Sequence, residues 1–287
     1  MRFSAIIHAM TQGGRDTLAF PRALAALAGC GFESVMLLSR PGGPVLGAGP
    51  VPEACLLDLA RSDLSLVRAQ ADHAGVTIVG IYAAGVTATD PDRVGESIRA
   101  LKEVCQVARR LGCRHVAHSG GRAEAPGMQV AHKQGQIQRL ARTVDAVACD
   151  WPEMRFGVDV HYHGVIESLA DCEYYLEQLA SDNAGILLNT GHMTTCDQPG
   201  WELVVKHPER VPIIGWKDHL VGPDLEKSVV SVQLGTGATP LERYVQAVRA
   251  QSLERVHVIN VEDAPPEHKQ AALRASREYL ERLWASA

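Results

Sequence analysis

Eight short apolar runs alternate with amphipathic stretches along the whole chain, and no other feature restricts the fold as much. The alternation predicts strands at Phe3–His8, Ser34–Leu38, Thr77–Tyr82, His115–His118, Phe156–Tyr162, Gly185–Leu188, Pro212–Trp216 and Val256–Val261. Between them it predicts helices at Thr17–Ala28, Glu53–Ala74, Pro91–Leu111, Val130–Cys149, Leu169–Ala180, Glu202–Lys206, Leu241–Ala250 and Glu267–Trp284. Glycines punctuate the helix ends, as in His73-Ala74-Gly75 and Arg110-Leu111-Gly112, where a left-handed residue stops the helix. Asp90-Pro91 and Ala264-Pro265-Pro266 open the third and last helices, where the fixed φ of proline suits a first turn.

The 287 residues give eight units of about 36 residues each, the size of one strand–helix unit in a (β/α)₈ TIM barrel. No composition break or Ser/Pro-rich linker divides them, so the expectation is one α/β domain spanning residues 1–287. A doubly wound nucleotide-binding sheet is disfavoured, because Thr11-Gln12-Gly13-Gly14-Arg15 lacks the GxGxxG spacing after the first strand. Two Gly- and Pro-containing stretches, Arg40–Pro52 and Ser119–Gly127, read as long loops over the carboxyl ends of the strands, where barrel enzymes keep their sites.

Charge and cysteine usage exclude other classes. A net charge of −5 with no Lys/Arg run argues against nucleic acid or an anionic membrane as partner. Apolar runs such as Val76–Val79 are far too short to span a bilayer. The seven cysteines are scattered with no Cys-x-x-Cys, and Met1-Arg2-Phe3-Ser4 passes straight into a strand, so a cytoplasmic protein with reduced thiols is expected.

The polar residues at strand ends carry the chemistry. Period 2 puts Asp159, His161 and His163 on one face of the fifth strand, against Val158, Val160 and Tyr162 on the other. Three polar groups in an apolar interior imply partners, water or a ligand. The sixth strand ends at Asn189 and turns at Gly191 towards His192; the seventh places Ile213, Gly215, Lys217 and His219 on one parity. Lys217 then reads either as a base or oxyanion clamp, or as half of a structural salt bridge with an interior carboxylate. The eighth strand brings Asn260 and Glu262 to one face, and His8, Tyr82 and His118 with Ser119 stand at three further strand ends. Six of the twelve histidines (8, 118, 161, 163, 192 and 219) thus map to one rim.

The stretches His161-Tyr162-His163-Gly164, Asn189-Thr190-Gly191-His192, Gly215-Trp216-Lys217-Asp218 and Val261-Glu262-Asp263 give the chain a resemblance to the sugar phosphate isomerase/epimerase family of xylose-isomerase-like TIM barrels. In that family these places usually read Glu-Asn-His-Gly, Asp-Thr-Gly-His, His-x-Lys-Asp and a strand-end Glu, four of whose residues hold a divalent metal. Here the frame persists and the ligands change: His161 takes the first Glu position, Asn189 the Asp and Gly215 the His, while Glu262 matches. The resemblance implies an isomerase, epimerase or lyase acting on a small carbohydrate-like compound by proton abstraction next to a carbonyl. Its catalytic candidates are His161, His163, Lys217 and Glu262; its substrate-binding candidates are His8, Tyr82, His118, Asn189, His192, Trp216 and His219. Two arrangements stay open: a divalent ion (Zn, Mn, Fe or Mg) held by His161, Asn189 and Glu262, or a metal-free acid–base site. A barrel that has lost catalysis and serves as a sugar-binding or partner subunit is the alternative. Homo-oligomers are usual for such barrels and are expected here as a possibility.

Overall fold

The structure, a computed structural model, describes residues 1–11, 18–87, 89–123, 130–222 and 230–287. Eight parallel strands close into a barrel: β1 (Ser4–Ile6), β2 (Ser34–Ser39), β3 (Thr77–Ala83), β4 (His115–His118), β5 (Arg155–Asp159), β6 (Ala184–Asn189), β7 (Ile213–Trp216) and β10 (Val256–Ile259), with β10 pairing to both β7 and β1. The expected (β/α)₈ barrel is therefore the fold. The antiparallel pair β8 (Asp218–Leu220) and β9 (Val230–Val232) follows β7 as a hairpin that the alternation did not foretell. Among the described residues no helix is long and apolar enough to cross a membrane. None of the seven cysteines is in a disulfide, and five are buried.

Strand register decides which side chains face the axis. Tyr82 lies opposite Leu38 and Ala117, Asp159 opposite Leu187, and Asn189 opposite Gly215. Neighbours in register share a face, so this set points inward. Val158, His118 and Ala83 form the complementary, outward set that packs under the helices.

The helices wrap the barrel as α1 (Phe20–Gly29), α2 (Leu64–Ala74), α3 (Val94–Leu111), α4 (Val130–Ala148), α5 (Leu169–Gln178), α6 (Thr190–Thr195), α7 (Trp201–Lys206), α8 (Leu241–Arg249) and α9 (Lys269–Ser286). Gly75 (φ +72°) and Gly112 (φ +78°) end α2 and α3 in the left-handed conformation expected of them. The second helix begins at Leu64 rather than Glu53. Asp63 caps it by accepting from Ser65 N, and residues 53–63 instead pair with the 40–46 loop through Arg40 N to Leu57 O and Asp58 N to Pro44 O. The predicted helix start at Thr17 and parts of the loops at 11–15 and 119–127 lie outside the described residues.

Three strands stop earlier than their hydrophobic patterns suggest. β1 ends at Ile6 and passes into a 3₁₀ turn, Ile7–Met10, that carries His8. β10 ends at Ile259, before Asn260 and Glu262. β5 ends at Asp159, and a turn closed by Gly164 N donating to His161 O carries His161 and His163 beyond it.

Candidate active site

Two adjoining cavities open at the carboxyl ends of the strands. The central one, about 260 Å³, is walled by His8, Tyr82, Asp159, His161, Asn189, Lys217, Asn260 and Glu262 above a floor of Ile6, Met36, Leu38, Leu187, Gly215 and Val258. The lateral one, about 340 Å³, shares Tyr82, Asp159 and His161 and extends past Ser119, Gly120, Gly121 and Arg122.

Lys217 is the fixed cation of the central cavity. Its side chain is 5% exposed, and its Nζ donates to Glu262 Oε1 at 2.7 Å and to His192 Nε2 at 3.3 Å. An ammonium has three N–H donors, so one is left for a ligand oxygen. Gly215, two residues earlier, has no side chain, and Gly191 allows the close approach: a Cβ there would lie 2.8 Å from Lys217 Cβ and 2.7 Å from His219 Cδ2. Glu262 also accepts from Asn260 Nδ2 at 2.7 Å and lies 3.6 Å from His8 Nδ1. Burial alone would raise its pKa, but Lys217 and His8 outweigh burial and hold it well below the usual carboxylate range.

Asp159 and Tyr82 form the opposite wall. The Tyr82 hydroxyl donates to Asp159 Oδ2 at 3.2 Å, and Asn189 Nδ2 donates to Oδ1 at 3.3 Å. Burial raises the Asp159 pKa, against the pull of His161 and Lys217. Burial followed by the Asp159 charge pushes the Tyr82 phenol well above its ordinary value. Two buried acceptors, Asn189 Oδ1 and Asn260 Oδ1, have no partner. Buried polar atoms are normally satisfied, so both carbonyls are poised for donors on a ligand.

His161 stands between the walls, its ring 3.8 Å from that of His192 between centroids. Its Nδ1 lies 2.6 Å from the Tyr162 carbonyl, which can only accept, so the proton sits on Nδ1 and Nε2 carries a lone pair. Burial lowers its pKa and favours this neutral form. His192 is likewise neutral, its pKa driven well below 6.5 by burial and then by Lys217.

The structure thus brings together His8, Tyr82, His161, Asn189, Lys217 and Glu262 around the central cavity. His192 and His219 stand just behind this wall, with His219 Nδ1 2.8 Å from Thr195 Oγ1. Three candidates lie elsewhere. Trp216 has outward parity and is buried against Phe3, His257 and Trp284, its Nε1 donating to His257 Nδ1 at 3.1 Å. His118 also points outward, bound through Nδ1 to Ser119 O. His163 adopts φ +58° and lines neither cavity. None of these three lines either cavity. Conversely, Asp159 and Asn260 line the central cavity; strand parity turned Asp159 inward and set Asn260 on one face with Glu262.

The geometry bears directly on the metal-bound arrangement. The β5 carboxylate in the cavity is Asp159, two residues before the place where the resemblance put the family's Glu. Asn189 Nδ2 donates to Asp159 and His161 Nδ1 sits on a carbonyl, which leaves Asn189 Oδ1 and the His161 Nε2 lone pair unengaged, whereas Glu262 is already paired with an ammonium. Among the described residues no three His, Cys, Asp or Glu side chains are grouped to hold an ion. Glu262 is the donor that fits a divalent cation poorly, because Lys217 already supplies the positive charge that such an ion would bring to it.

Fold and site together define a barrel with a polar, titratable mouth at the strand carboxyl ends. The chain belongs to the xylose isomerase-like TIM barrel family, whose model matches residues 24–283. It is similar in structure to a xylose isomerase domain protein from Alicyclobacillus acidocaldarius subsp. acidocaldarius (19% identity, covering 99% of this chain and 98% of that one, TM-score 0.74). It is also similar to a D-tagatose 3-epimerase-like protein (15%, 100% and 99%, TM-score 0.73) and to the IOLI protein solved with a zinc atom (14%, 100% and 99%, TM-score 0.70). No curated protein sequence matches the chain.

Proposed function

We propose that the barrel mouth moves a proton on a carbon next to a carbonyl of a small polyhydroxylated compound (a sugar, keto-sugar or inosose), giving isomerisation, epimerisation or elimination. The observation that carries this reading is the buried Lys217 ammonium with one unused donor, facing a cavity in which two amide oxygens lack partners. Lys217 donates to the substrate carbonyl and stabilises the enolate oxygen as charge develops there. His161 Nε2 takes the α-proton, and the imidazolium so formed, its Nδ1–H held by the Tyr162 carbonyl, returns that proton to carbon in isomerisation or epimerisation or to the departing hydroxyl in elimination. Asn189 and Asn260 accept from substrate hydroxyls through their unpaired oxygens. Tyr82 and His8 complete the walls. The similarity to epimerases and to a xylose isomerase domain protein supports a carbohydrate-acting enzyme of this type.

The test is turnover of a panel of ketoses, ketose phosphates and inososes, followed by NMR. His161→Ala and Glu262→Gln are each expected to lower kcat by about 10²–10⁴. If both variants keep full turnover, this centre is not the reacting one.

A further inference from the structure

We infer that Arg122 forms an anion-binding subsite beside the reaction centre, so that the substrate ends in a carboxylate or phosphate group. This rests on the proton-transfer reading of the central cavity, with which the lateral cavity shares Tyr82, Asp159 and His161. A ligand reacting at Lys217 therefore has a continuous path to Arg122.

The backbone of Arg122 is fixed, and among the described residues its guanidinium has no hydrogen-bond or ion-pair partner. The residue forms an antiparallel bridge with Gly164, flanked by Val165 N donating to Gly121 O at 3.1 Å and Ala123 N donating to His163 O at 2.9 Å. The same turn carries His161, so the guanidinium and the proposed base are tied to one piece of backbone. Among the described residues no carboxylate pairs with Arg122, whereas Arg109, Arg114 and Arg277 each have one. An unpaired guanidinium on a cavity wall is suited to an oxyanion, which it can hold in two parallel N–H···O bonds.

The wall next to it is bare backbone for a steric reason. A Cβ at Gly121 (φ +92°) would sit 2.3 Å from Thr87 Oγ1, and one at Gly120 would lie 3.0 Å from Leu140 Cδ2. Neither glycine can readily carry a side chain, and the cavity they line has a volume of about 340 Å³.

Calorimetric binding of D-fructose, D-fructose 6-phosphate and D-fructuronate distinguishes the possibilities, because the three share a ketohexose frame and differ at the far end. The wild-type protein is expected to bind at least one of the two anions about tenfold or more tightly than D-fructose. Arg122→Gln should abolish that advantage, while Arg114→Gln, at the opposite end of the barrel, should retain it. Whichever anion has the advantage identifies phosphate or carboxylate as the recognised group. D-Fructose binding as tightly as both anions, an advantage that survives Arg122→Gln, or no binding of any of the three would each overturn the subsite. Turnover separates the two readings. An Arg122-dependent advantage without turnover leaves the subsite standing and sinks the proton-transfer reading; turnover without an anion advantage does the reverse.

Discussion

Lys217 carries more of the site than any other residue, and its two roles can be pulled apart. It donates to Glu262, whose side chain keeps 33% exposure, and to the buried His192. Lys217→Met removes the ammonium that donates to Glu262, which costs about 3–5 kcal/mol for a fully buried pair and less here because Glu262 is partly solvated. The paired variant Lys217→Met/Glu262→Gln deletes both charges and should recover most of that loss in a denaturant titration. Turnover should not recover, since the donor to the enolate oxygen is still missing. Recovery of both would make Lys217 a structural partner only. At this scale the sequence is most legible inside the strands, where Tyr82, Asp159 and Asn189 reach the central cavity from β3, β5 and β6, and Lys217 and Glu262 also reach it from just past the ends of β7 and β10. His163 does not, because β5 stops at Asp159 and period 2 has no meaning in the turn beyond it.

Element junctions hold this geometry. The β6–α6 junction is tightest at Gly191, where an added Cβ meets His219 and Lys217. Gly191→Ala is expected to push Lys217 out of position, lowering kcat/KM by about 10² and stability by about 1–3 kcal/mol. Gly95 on α3 is the control: a Cβ there meets nothing within 4 Å, and Gly95→Ala should stabilise the helix by about 0.5–1 kcal/mol. A Gly191→Ala variant with full activity would show that the junction does not position Lys217. Strand and helix order was readable from hydrophobic period, because each unit buries one face against its neighbours. Element ends were less so. β1, β5 and β10 stop where the backbone must turn over the mouth, and those turns are fixed by tertiary hydrogen bonds such as Val165 N to Gly121 O, which leave no local signal. Asp218 is a related case: its carboxylate accepts from Gly235, Gly237 and Thr239 N and anchors the segment following the β8–β9 hairpin, contacts that span up to 21 residues.

The whole barrel should be acid-sensitive through its buried histidines. Burial lowers His115 and His118 to about 4 and His219 and His257 to about 3, from 6.5. Below pH 6.5 the unfolded chain takes up protons at these positions and the folded barrel does not. Their contribution to stability is therefore fully present above 6.5 and is lost as pH falls towards 4, by up to about 1.4 kcal/mol per pH unit for each histidine. Urea midpoints at pH 7.5 and pH 5 check this: a marked fall at pH 5 is expected, and equal midpoints would contradict the burial of these four side chains. The central step is proton transfer beside a carbonyl with Lys217 as the resident cation. The most direct measurement is NMR detection of deuterium entering the α-carbon of ketoses, ketose phosphates and inososes in D₂O, catalysed by chelator-treated protein. The account predicts incorporation into at least one of them, undiminished by the chelator and lost in Lys217→Met. No incorporation into any, or incorporation that returns only when a divalent metal is added, would contradict it.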